Sequence, residues 1–122
     1  MKNNKPTIEV ELNIFSGRPN PRWELSESQV DELKPKMRML LPTATPKTTM
    51  QLGYRGVVIV NLSKTPDLPE LIYAYKGVLT IMDRDMTNYY EDTNNLEEWL
   101  LNQARQLGCS KIIDEAFRYI RK

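Results

Sequence analysis

Thr7 to Phe15 reads TIEVELNIF. Ile8, Val10, Leu12 and Ile14 alternate with Glu9, Glu11 and Asn13. Successive side chains of a strand point to opposite faces, so alternation of this length specifies a strand with one buried and one wetter face. The expectation is that the four aliphatic residues are buried and the two glutamates at least partly exposed.

The segment after it cannot continue a ladder. Ser16-Gly17-Arg18-Pro19-Asn20-Pro21 places one glycine and two prolines in six residues. A fourth short strand fits around Trp23-Glu24-Leu25. Ser26, with Gln29 three residues on, forms a capping box. Val30, Leu33, Met37, Leu40 and Leu41 then follow at helical spacing up to Pro42. Pro35 removes one helical hydrogen bond and predicts a kink near Lys34, or two short helices. Thr43 to Gln51 reads as a surface loop.

Leu52-Gly53-Tyr54-Arg55-Gly56 is a turn before a strand, Val57–Leu62, that is apolar on both faces and suits the middle of a sheet. A second strand is expected over Leu71–Met82, with Gly77 at a bulge. The polar stretch Arg84–Asn94 leads to a helix through Leu96, Trp99, Leu100, Gln103, Ala104 and Leu107. Asn94 with Glu97, or Asn95 with Glu98, offers its capping box, and Gly108 closes it. A last helix begins near Ser110 and buries Ile112, Ile113, Ala116, Phe117 and Ile120.

The order β-α-β-β-α-α predicts an α+β two-layer sandwich: a small, mostly antiparallel sheet of three to four strands with helices on one face. Its 122 residues suit one domain, placed over 7–122 behind a disordered segment, Met1–Pro6. The 17 basic and 16 acidic residues leave a net charge of +1, which gives no general pull toward nucleic acid or anionic membrane. One cysteine, Cys109, no signal-like apolar core and no apolar run long enough to span a bilayer point to the cytoplasm.

The chain has no histidine. That excludes Ser-His-Asp and Cys-His catalysis and every zinc site that needs His. The acidic run Asp83–Asp92 loosely matches a calcium loop, but Asn88 stands where the turn glycine belongs and Asn94 where the bidentate glutamate belongs. No metal and no cofactor is expected.

The most informative stretch is Phe15 to Trp23. Two prolines stiffen it, and a stiff loop loses little entropy on binding. Arg18 and Arg22 supply planar donor forks, Asn20 a donor and acceptor, and Trp23 a stacking face. Tyr54 and Arg55 form a second aromatic-basic turn. If both turns lie at one end of the sheet, Arg18, Arg22, Trp23, Tyr54 and Arg55 could form one cationic pocket. The same residues also suit a rigid turn that seals the fold, with Trp23 in the core and Arg18 paired to Glu9 or Glu11. Tyr73 and Tyr75 share a strand face, in the general style of an RNA-binding sheet, without the basic residues of such modules.

The functional expectation is a small binding domain that takes a protein, peptide or anionic group through Arg18, Asn20, Arg22, Trp23, Tyr54 and Arg55. A protein or peptide partner is expected over a small molecule, with no nucleic acid and no membrane. Two alternatives stand beside it: a small carboxylate enzyme built on Glu9 and Glu11, and a structural subunit that docks through its C-terminal helices.

Overall fold

A computed structural model describes residues 7–15, 17–46 and 54–120, the side chains of 118–120 excepted. The expectations for Met1–Pro6, for Leu52-Gly53 and for Ile120 lie outside what is described.

Among the described residues six strands form one antiparallel sheet: β1 (Ile8–Leu12), β2 (Arg22–Glu24), β3 (Val57–Asn61), β4 (Leu71–Tyr75), β5 (Val78–Asp83) and β6 (Met86–Glu91), in the order β2-β1-β3-β4-β5-β6. The helices are α1 (Glu27–Lys36), α2 (Leu96–Ala104) and α3 (Ser110–Ile120). The α+β class therefore stands, but the three- to four-stranded sheet and the β-α-β-β-α-α order do not.

The additional strands lie in the second half of the chain. Leu71–Met82 is two strands joined at Lys76-Gly77. The φ values are +50° and +79°, the left-handed pair of a tight hairpin turn. Arg84 (φ +50°) and Asp85 (φ +66°) repeat that turn before β6, so the acidic run weighed as a calcium loop is a hairpin. Among the described residues no cluster of His, Cys, Asp and Glu is arranged to hold a metal.

One face of the sheet is dry. Ile8, Val10 and Leu12 of β1 pair with Asn61, Ile59 and Val57 of β3, which continue to Ile72 and Ala74 of β4 and Leu79 of β5. The aliphatic residues of this set join Val30 and Leu33 of α1, Leu96, Leu100 and Leu101 of α2, and Ile113 and Ala116 of α3 in one core. Each fully buried aliphatic chain contributes about 1.5–3 kcal/mol. Ile14 is buried with its strand, and Glu9 and Glu11 are half-buried on the opposite face.

The helix ends follow local chemistry. Ser26 caps α1 with its full capping box. Pro35 sits in the last turn instead of kinking the middle, and the helix stops at Lys36, short of Pro42, because the N–H of Met37 folds back to the carbonyls of Lys34 and Pro35. Neither Asn94 nor Asn95 caps α2. Asp92 does so: its carboxylate accepts from the N–H of Leu96 (2.6 Å) and Glu97 (2.9 Å). Gly108 (φ +102°) breaks the helix before α3, as its position predicts.

Candidate functional site

β1 and β4 run toward one end of the sheet, and β2, β3 and β5 start there. The Phe15–Trp23 loop, the Tyr54–Gly56 turn and the Lys76-Gly77 turn therefore share that end. Their side chains do not converge on one pocket.

Asn20 organises the loop. Its Oδ1 accepts from the N–H of Ile14 (3.0 Å) and Phe15 (2.8 Å), and its Nδ2 donates to Glu11 Oε2 (2.9 Å) and Asn13 Oδ1 (3.2 Å). Arg55 ties the second turn to the first. Its N–H donates to the Asn13 carbonyl at 2.7 Å, and its Nη2 donates to the Phe15 carbonyl at 2.6 Å. Arg22 lies along β1, 3.0 Å from Glu11 and 4.0 Å from Glu9, so Arg22 makes the ion pair that Arg18 could have made. Arg18 is exposed, with its guanidinium 3.7 Å above the Phe15 ring.

Trp23 leaves by the other face. It lies in register with Val10, half-buried on the helix side, and its Nε1 donates to Gln103 Oε1 at 2.9 Å. Tyr54 is in the core, where its hydroxyl donates to Glu97. Burial pushes its phenol far above the ordinary value, and the Glu97 carboxylate adds to the shift. Tyr73 is shifted the same way by burial, then by Tyr75 and Glu97. Its hydroxyl donates to the Arg55 carbonyl.

Removing Asn20 tests its role. Asn20→Ala leaves two amide N–H groups unpaired and is expected to cost about 1–3 kcal/mol of unfolding free energy in urea. Asn20→Asp keeps an oxygen that accepts from both N–H groups but sets a carboxylate against Glu11. Repulsion raises the folded-state pKa, so this variant should be less stable near neutral pH and recover as the pH falls through the carboxylate range. Equal midpoints for Asn20→Ala and the parent would show that Asn20 organises nothing.

The larger surface is the second face of the sheet, which none of the loop residues marks. Val58 and Val60 of β3, Leu71 and Tyr73 of β4, and Val78 and Met82 of β5 lie on it, with Val58 paired to Tyr73, Val60 to Leu71 and Leu71 to Met82. Met82 is 43% exposed, and the other five are half-buried. Tyr89 of β6 extends the row beside the buried Thr80. No described helix or strand covers this face. The sequence carried the signal in Val57–Leu62: a strand apolar on both sides, in a sheet whose helices cover one.

A recess of about 320 Å³ opens at the sheet end between Tyr54, Tyr75, Gly77, Glu97 and Phe117. Its carboxylates already have work, since Asp92 caps α2 and Glu97 accepts from Tyr54 and from the Gly77 N–H. Glu9 and Glu11 lie on the open face beside Arg22. The described exposed residues of α3, among them Lys111, Asp114 and Glu115, are polar. Among the described residues no helix is long and apolar enough to cross a membrane.

Fold and site together define a small α+β domain with an open-faced antiparallel sheet. Comparison with protein-family models, with curated proteins and with solved structures finds no match to this chain.

Proposed function

We propose that the chain is a binding domain that takes a protein partner on the open face of its sheet, with the Arg18-bearing loop at the rim. The observation that carries the reading is the apolar block Val58, Val60, Leu71, Tyr73, Val78 and Met82, left without a covering layer by the described elements. Contiguous apolar residues at a surface mark interaction sites. Half-buried aromatic residues supply the anchors such surfaces use.

The loop serves this face indirectly. Asn20 and Trp23 of the loop, and Arg55 of the neighbouring turn, are occupied in holding the chain, so they preorganise the rim and leave Arg18 displayed. Preorganisation lowers the entropy lost on association. The carboxylate-enzyme alternative is disfavoured by Glu9 and Glu11, which sit on a flat strand face paired to Arg22.

Site-specific photo-crosslinking in the native cell tests the reading. A photoreactive phenylalanine derivative at Val60 or Met82 should give discrete protein adducts, and adding Leu71→Lys should abolish them. The same group at Asp31 or Glu115, on exposed helix positions, should give none. Equal adducts from both sides, or none from the sheet side, would refute the proposal.

A further inference from the structure

We infer that the partner lays an amphipathic helix along the open face, with its apolar stripe bordered by Lys and Arg. This rests on the proposed use of that face for recognition.

Dimensions select a helix. The apolar block occupies three adjacent strands, β3, β4 and β5. Strands are about 4.8 Å apart, so the block is roughly 10 Å wide between its outer strands. That is about the diameter of one α-helix with its side chains. Along the strands, five residues at about 3.3 Å each give roughly 17 Å, the length of about three helical turns.

The sheet edges do not favour strand addition instead. The outer edge of β6 is already bridged by Leu41–Thr43. The Thr43 N–H donates to the Tyr89 carbonyl (3.0 Å), and the Glu91 N–H donates to the Leu41 carbonyl (2.8 Å). The opposite edge, β2, has three residues and follows Pro19 and Pro21.

Charge selects the border. Beyond β3, the open face carries Glu9 and Glu11 on β1 and Glu24 on β2, against Arg22. Glu9 and Glu24 stand directly opposite each other, an arrangement that destabilises a sheet. Arg22 reaches Glu11 and Glu9, and Glu24 has no ion pair among the described residues. On the other side Glu91 pairs in register with Val78. The apolar block thus has an acidic border on its β1–β2 side and one carboxylate, Glu91, on the other, where Lys76 lies over the Tyr75 ring. Cationic side chains at the border of an incoming helix would relieve that repulsion. Phosphates would meet it, which argues against single-stranded nucleic acid despite Tyr73 and Tyr89. A second copy stacked face to face would bring carboxylate rows of its own.

The test uses the purified chain and two stapled helical peptides. Both carry one leucine stripe, bordered by lysines in the first and by glutamates in the second. The lysine-bordered peptide should bind at least about tenfold tighter, a difference of about 1.4 kcal/mol. High salt should shrink that advantage, and the double substitution Glu9→Lys, Glu24→Lys should reverse it, with melting curves confirming that the variant is folded. Amide shifts should fall on β3, β4 and β5. Equal affinities, tighter binding of the glutamate peptide, no binding of either, self-association through this face, or its occupation by a single-stranded oligonucleotide would each overturn the inference. If crosslinks at Val60 persist while the peptides fail, the inference alone falls. If the crosslinks are also absent, the proposed use of the face falls with it.

Discussion

Gly56→Ala should come close to abolishing folding, with a loss of about 4 kcal/mol or more in unfolding free energy. A Cβ built on Gly56 would lie 2.7 Å from Cε1 of Tyr73, 2.8 Å from the Ala74 carbonyl oxygen and 3.0 Å from Cβ of Tyr75. Two of those neighbours belong to the strand framework and cannot swing aside. The residue also has φ +103°, a region side-chain-bearing residues rarely adopt. Its carbonyl accepts from the Asn13 N–H at 2.9 Å, which fixes the turn against β1. Losses above about 4 kcal/mol are rare for single substitutions, and they consume most of the 5–15 kcal/mol that holds a small domain together. Gly77→Ala is the control, because at φ +79° its Cβ would meet nothing within 4 Å. It should cost about 1–3 kcal/mol, from backbone strain alone. Urea midpoints that are alike for the two variants would show that the packing of Tyr73 over Gly56 is unimportant.

Gly56 also shows what the sequence could and could not reveal. Its place in a turn is readable from Gly53-Tyr54-Arg55-Gly56, but its close approach to β4 depends on strand pairing, which is long-range. Where physics is local, the reading holds. The alternation in Ile8–Ile14, the capping box at Ser26 and Gln29, the central strand at Val57 and the helix stop at Gly108 all appear as expected. It fails where a local signal is ambiguous. Leu71–Met82 is apolar almost throughout, so a hairpin and a bulged strand look alike, and Lys76 gives no hint that it takes a positive φ. Met86–Glu91 shows no apolar alternation because it is a hairpin strand near the edge, with Met86, Thr87 and Asn88 exposed. Asp92 caps α2 from four residues upstream, outside the spacing that identifies a capping box.

The same division runs through the site. Stiffness of the Phe15–Trp23 loop is legible in Gly17, Pro19 and Pro21. The destinations of its side chains are not, because Arg22 and Trp23 are adjacent in a strand and must point to opposite faces. Once β2 pairs with β1, Arg22 is committed to Glu11 and Trp23 to Gln103, and a pocket that contains both is geometrically excluded. The open face followed from the unusual composition of β3 only after the helices were known to cover a single side.

Tyr54→Ala should lower stability by roughly 3–5 kcal/mol, the range for deleting a core aromatic. The ring is 2% exposed and sits between two others, 5.6 Å from Tyr75 and 5.1 Å from Phe117, both edge to face. Such pairs add about 0.5–1.5 kcal/mol each beyond burial. Tyr54→Phe keeps the ring and loses the hydroxyl that donates to Glu97, so it should cost only about 1 kcal/mol near neutral pH. Its clearer signature lies in alkali. The folded-state phenol is held above its ordinary value by burial first and by the Glu97 carboxylate second. Below about pH 10, the unfolded value, the phenol is protonated in both states and the contribution is fully present. Above it the unfolded chain releases the proton and the folded chain keeps it. Stability should then fall by up to about 1.4 kcal/mol per pH unit, and the loss continues through the alkaline range because the folded-state value lies higher still. Tyr73 adds a contribution of the same sign, so Tyr54→Phe should reduce the alkaline slope and not remove it. Denaturant titrations of the parent and Tyr54→Phe between pH 8 and about 11 read both slopes directly. Parallel slopes would mean that the Tyr54 phenol ionises as readily in the folded protein as in the unfolded chain, and that the Glu97 contact does not keep the proton in place.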